Sequence, residues 1–119
     1  MKRDGKILIV EDNAAIARAI EQAGVELCVT CEYATDGWDA ISKLETEDYA
    51  AIVIDADVPR HSGYGVLTYL REEIGDDLAN VIMLTSSDRD EVSRRAGGIR
   101  VVAREDAVAE IRRFVRNEE

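Results

Sequence analysis

The stretch Ala50-Ala51-Ile52-Val53-Ile54-Asp55-Ala56-Asp57-Val58-Pro59-Arg60-His61-Ser62-Gly63 decides the fold. Ile52, Val53 and Ile54 are apolar without alternation, which predicts a strand covered on both faces, as in the interior of a parallel sheet. That strand delivers Asp55 to its carboxyl end, the edge at which open α/β sheets bind ligands. Pro59 and Gly63 punctuate the loop that follows.

The same pattern recurs on either side. Upstream, Ile7-Leu8-Ile9-Val10 ends on Glu11 and Asp12. Asp12 or Asn13 can cap a helix with Ile16, Ile20 and Ala23 on its apolar face, and Gly24 stands where such a helix would stop. Val29 to Tyr33 reads as a shorter, more polar edge strand. A helix over about Asp36 to Glu45, burying Ala40, Ile41 and Leu44, then leads into the Asp55 strand. Downstream, a helix from Ser62 places Val66, Leu70 and Ile74 on one face, with Leu67 beside them and Gly75 at its end. Val81-Ile82-Met83-Leu84 is a fourth strand, ending on Thr85. A weak helix from about Asp88 to Ala96, with only Val92 and Ala96 to bury, stops at Gly97-Gly98. Val101-Val102-Ala103 is a fifth strand ending at Arg104. Asp106 can cap a last helix with Ala107, Val108, Ile111, Phe114 and Val115 inward. Strands alternating with helices predict one α/β domain over 1–119, a doubly wound parallel sheet with helices on both faces.

Composition narrows the function. The 119 residues suffice for one core without staples. A net charge of −10 argues against direct nucleic-acid binding, which depends on phosphate neutralisation. Residues 94–119 hold seven arginines against five acids, net +2, leaving −12 on residues 1–93. The C-terminal end is thus the less acidic surface, available to a charged partner or simply solvated. No apolar run is long enough to span a membrane and the N-terminus does not read as a signal peptide, so a cytoplasmic location is expected. Cys28 and Cys31 form a C-x-x-C, but Val25 to Tyr33 reads as extended, where residues three apart face opposite ways. Two reduced structural cysteines are expected.

The predicted strand ends gather Glu11, Asp12, Asp55, Asp57, Thr85 and Arg104 at one sheet edge. Carboxylates so crowded repel unless a cation joins them. Magnesium, which takes carboxylate oxygens and keeps open positions for phosphate, is the natural one. With a hydroxyl and a fixed cation opposite, such a cradle suits phosphoryl transfer to a carboxylate.

These residues resemble the receiver domains of bacterial two-component response regulators, over essentially the whole chain. The acidic pair after the first strand is matched by Glu11-Asp12. The acceptor Asp, with Pro four and Gly eight positions on, is matched by Asp55, Pro59 and Gly63, and the hydroxyl after the fourth strand by Thr85. The resemblance implies a flavodoxin-like sheet of order 2-1-3-4-5 and phosphorylation of Asp55 by a sensor histidine kinase or phosphotransfer protein. It further implies Mg2+ on Asp12, Asp55 and the Asp57 carbonyl, with Glu11 acting through water, and a Thr85 that follows the phosphoryl group. The expected protein assists its own phosphorylation and dephosphorylation and is not a turnover enzyme.

Three departures fall in the C-terminal third. Arg104-Glu105 stands for the family's Lys followed by Pro, Val101 for its aromatic switch residue, and the helix after Thr85 is short. An acceptor half that matches thus precedes an altered response half, which would address a downstream protein through the C-terminal face. Two other classes remain. A pseudo-receiver would keep the fold as an interaction module independent of phosphorylation. A haloacid-dehalogenase-type phosphatase would use Asp55-Ala56-Asp57, but this chain lacks the later acidic pair and Lys. His61 is expected to be exposed and away from chemistry, and Trp38, Tyr64 and Tyr69 to be packing or surface.

Overall fold

The computed structural model describes residues 5–75 and 78–117; the ends of the 1–119 domain lie outside the described residues. Five strands, β1 (Lys6–Val10), β2 (Thr30–Ala34), β3 (Ala51–Asp55), β4 (Val81–Thr85) and β5 (Arg100–Ala103), form one sheet in the order β2-β1-β3-β4-β5, with every pairing parallel. Five helices alternate with them: α1 (Ala14–Glu26), α2 (Gly37–Thr46), α3 (Gly63–Tyr69), α4 (Arg89–Arg95) and α5 (Ala107–Asn117).

The apolar runs of the three central strands divide between two cores, because successive side chains of a strand point to opposite faces. Leu8, Val10, Ile52, Ile54, Val81 and Met83 meet the residues of α2, α3 and α4. Ile7, Ile9, Ala51, Val53, Ile82 and Leu84 meet those of α1 and α5. β3 and β4 are buried along their whole length, as a strand covered on both faces must be.

Five sequence expectations change. The extended reading of Val25 to Tyr33 is wrong at its start, since α1 runs to Glu26 and β2 begins at Thr30. Cys28 sits between them at φ 61 and is exposed, while Cys31 lies on β2. The thiols are apart because one is in a turn, not because both are on a strand. Burial, then the charge of Glu21, pushes the Cys31 thiol up to about 11, so it stays protonated and unreactive. Gly24 does not stop α1. It lies inside the helix, where a Cβ would come within 2.6 Å of Cys31 Sγ, so its smallness lets α1 lie against β2.

After Tyr69 the third helix widens into a π turn over Leu70–Ile74, closed by Gly75 at φ 76. Val66, Leu67 and Leu70 are buried as the spacing predicts, but the wider turn rotates Ile74 out, leaving it 49% exposed. Asp106 does not cap α5; it ends a 3-10 turn, Arg104–Asp106, that runs straight into the helix. Ala107, Ile111 and Val115 are buried there, whereas Phe114 is only partly so. Buried Glu110 on the same helix is held by Arg100 of β5 through two bonds, of 2.6 and 2.9 Å. No described helix is long and apolar enough to cross a membrane.

Candidate phosphoryl-acceptor site

The strand register builds the site. Val10 pairs with Ile54, Asp55 with Leu84, and Thr85 with Ala103. Glu11, Asp55, Thr85 and Arg104 therefore step along one carboxyl edge, each at or just past the end of its strand.

Asp55 is wholly buried. Its Oδ1 accepts from the Asp57 amide at 2.8 Å and from Arg104 Nη2 at 2.9 Å. Arg104 Nε lies 2.6 Å from Oδ2, an ion pair off the hydrogen-bond line, so neither atom completes a hydrogen bond there. The planar fork thus engages the two carboxylate oxygens through two separate nitrogens, a fixed geometry that a lysine lacks. Burial alone would raise the Asp55 pKa; the bond from Arg104, then the facing Glu11 carboxyl and the bond from the Asp57 amide, outweigh it and hold the carboxyl below its usual value.

Glu11 is buried beside it. Its Oε1 accepts from the Asn13 amide at 3.1 Å, and its Oε2 has no partner among the described residues other than the facing Asp55 carboxylate. Burial, then the facing Asp55 carboxylate, pushes the Glu11 carboxyl up to about 8. The pair is thus disposed to share one proton, with its negative charge held under Arg104.

This charge state has a measurable consequence. Glu11 titrates near 4.5 when unfolded and near 8 when folded, so between those values the folded chain holds the extra proton. Without added metal, stability falls as pH rises from 5 toward 8, by at most about 1.4 kcal/mol per pH unit. Asp55 acts oppositely, its contribution being lost as pH falls through its lowered value. Urea unfolding at a series of pH values should show the decline, and Glu11→Gln should flatten it; an unchanged slope in that variant would place the proton elsewhere.

The remaining expected residues are less closely engaged. Thr85 is buried, and its Oγ1 accepts from the Ser87 amide at 2.9 Å, leaving the hydroxyl proton to donate. Asp57 is exposed, with Oδ2 3.9 Å from Arg104 Nη2. Asp12 is exposed next to Glu11. Among the described residues no three carboxylates, imidazoles or thiols converge as a ready metal cage, and Arg104 occupies the place of the countercharge. The donor chemistry nevertheless suits magnesium. Glu11 Oε2 and Asp55 Oδ2 are buried oxygens without a hydrogen bond, Asp12 and Asp57 flank them with solvent-facing oxygens, and Mg2+ needs only one or two carboxylates besides water.

Sequence reading missed the support of the loop after Asp55. Arg60 pairs with buried Asp36, and the Pro59 and Arg60 carbonyls accept from the Gly37 and Trp38 amides at the start of α2. His61 stacks on Trp38 with ring centroids 4.2 Å apart. Tyr64 carries the Arg95 guanidinium 4.0 Å above its ring. These pairs join residues distant in sequence, and the rings alone gave no signal of them.

Fold and edge together define a doubly wound parallel domain with an acidic, arginine-closed pocket at the carboxyl ends of its central strands. The model of the response regulator receiver domain matches residues 7–103, and the chain belongs to that family. It is 36% identical over 95 residues to the response regulator protein PmrA of Pseudomonas aeruginosa, covering 79% of this chain and 41% of PmrA. It is 34% identical over 94 residues to the response regulator MprA of Mycobacterium ulcerans, covering 79% of this chain and 39% of MprA. The chain thus spans about two fifths of the length of these curated relatives.

Among solved structures, a putative response regulator from Chloroflexus aurantiacus superposes with a TM-score of 0.82 at 22% identity, covering 96% of each chain. The chemotaxis protein CheY4 of Vibrio cholerae superposes with a TM-score of 0.78 at 20% identity, over 92% of this chain and 98% of that one. These likenesses show the fold, including the expected 2-1-3-4-5 order.

Proposed function

We propose that the chain accepts a phosphoryl group on Asp55 from the phosphohistidine of a sensor histidine kinase or phosphotransfer protein, with Mg2+. The observation that carries this reading is the setting of the Asp55 carboxylate. It stands at the end of β3 between the buried Glu11 carboxyl and the Arg104 guanidinium, with the Thr85 hydroxyl one residue past the facing strand pair.

A carboxylate oxygen of Asp55 attacks phosphorus in line; the new O–P bond forms as the P–N bond to histidine breaks, and its electron pair returns to the imidazole. For that oxygen to be reached, Arg104 must release it. The freed guanidinium then meets a phosphoryl oxygen, and Thr85 donates its hydroxyl proton to another. Asp12, Asp55 and the Asp57 carbonyl would hold Mg2+, with Glu11 through water, and the ion would supply neutralisation of the equatorial charge. Repulsion between phosphoryl group and carboxylates gives the local charge change that a downstream partner reads. With Val101 where the family's aromatic switch residue is expected, the usual threonine-to-aromatic relay has no ring to move.

The pseudo-receiver reading also has an observation in its favour, since Asp55 is fully buried with both oxygens under Arg104. Phosphoramidate, a donor whose labile bond is P–N, separates the two when phosphorus NMR is recorded with magnesium. An acyl-phosphate resonance absent from Asp55→Asn supports the acceptor. A folded chain with no such resonance leaves the interaction module.

A further inference from the structure

Away from the acceptor edge, a groove of about 640 Å3 runs between α2 and α3. The stacked rings of His61 and Trp38 lie at one end, with Tyr69 beside them. Glu45, Glu72 and Glu73 line it farther along, all exposed and without an ion-pair partner among the described residues, and no lysine or arginine lines it.

Three features set this groove apart from an ordinary acidic surface. Trp38 is 57% exposed, although one face of its ring is already covered by His61. His61 is held in place at φ 75 with its ring over Gly65, where a Cβ would come within 2.4 Å of it, so the stack is fixed by a strained backbone and a reserved space. Finally, Glu72 and Glu73 belong to the π turn, an irregularity that recurs at functional sites.

We propose that this groove binds a helical segment of a partner protein bearing lysine or arginine on one face. A cation is drawn both to the uncovered face of the Trp38 ring and to the unpaired carboxylates. Trp38 and Glu45 are seven residues apart on one helix, about 10 Å along its axis. A single small cation meets only one of the two sites. Side chains at i and i+7 of a docked helix span the same distance and meet both.

Trp38 is the only tryptophan of the chain, so its fluorescence reads this groove alone. The probe is an amphipathic helical peptide of Leu, Ala and Arg, compared with the same peptide carrying Glu for Arg. The arginine peptide should give a saturable change in Trp38 emission at physiological salt, and the glutamate peptide none. Glu45→Gln/Glu72→Gln/Glu73→Gln should weaken binding by about tenfold or more. The equally neutralised Asp48→Asn/Glu91→Gln/Glu105→Gln should weaken it by no more than about twofold. Equal loss in the two triple variants would reduce the effect to net charge and overturn the proposal. So would equal binding of both peptides, no saturation, or sedimentation showing that a second copy of the chain fills the groove.

Discussion

Replacing Arg104 with alanine should destabilise the metal-free protein by about 3 kcal/mol at neutral pH, and magnesium should restore most of the loss. The guanidinium is the only basic side chain touching the Asp55 carboxylate among the described residues, and that carboxylate has no exposed surface. Removing one partner of a buried pair leaves the other uncompensated, which costs far more than the pair itself contributes. The unpaired Asp55 escapes by taking up a proton, so the deficit should grow with rising pH and shrink in acid. Arg104→Lys should lose less, about 1 kcal/mol, since an ammonium keeps the charge but not the fixed two-nitrogen fork. Urea unfolding in chelator and in millimolar magnesium checks all of this. If Arg104→Ala is as stable as the parent in chelator, the guanidinium is not the countercharge of the pocket.

Gly37→Ala should be nearly as damaging, although the residue touches no reacting group. A Cβ at position 37 would stand 1.5 Å from the His61 carbonyl oxygen and 2.5 Å from its carbon, and backbone cannot turn aside as a side chain can. The loop after Asp55 must withdraw. It then forfeits the bonds from the Gly37 and Trp38 amides, at 3.3 and 3.2 Å. Arg60 and His61, both at positive φ, lose the contacts that hold them there. A cost of about 3 kcal/mol, or roughly 10 °C in Tm, is expected. Loss of the His61 stack should also change Trp38 emission in the folded state. Ser42→Ala, on the exposed side of the same helix, should do neither. A Gly37→Ala variant that melts with the parent would mean that the loop is not latched to α2.

The central strands were legible because burial on both faces leaves a plain mark. Ile7 to Val10, Ile52 to Ile54 and Val81 to Leu84 have no polar alternation, and each run stops at a residue with chemistry to do. Parallel strand direction then follows from the alternation of β and α, which is why Glu11, Asp55, Thr85 and Arg104 fall at one edge. The second strand was harder. Val25, still within α1, and Leu27, just past it, carry the apolar pattern toward β2, yet Val25 is 72% exposed, so its hydrophobicity marks neither helix face nor strand. The π turn at Leu70–Ile74 was invisible for another reason: a one-residue widening changes which face Ile74 occupies without requiring a different residue type. At the acceptor edge, residue types announced carboxylates and a cation, but not that Arg104 would fork over both oxygens of Asp55, nor that Glu11 would be buried beside them. Those depend on burial and distance. The Trp38 and His61 stack joins residues 23 positions apart in the chain and belongs to tertiary packing alone.

The central claim, that Asp55 accepts a phosphoryl group, is tested most directly by the intact mass of the protein after incubation with acetyl phosphate and magnesium, beside Asp55→Asn and a sample in chelator. The mass should rise by one phosphoryl group in the parent alone, and the adduct should be lost on mild alkaline treatment, as an acyl phosphate is. A parent protein that stays folded and gains no mass, or an Asp55→Asn variant that gains as much, would contradict it.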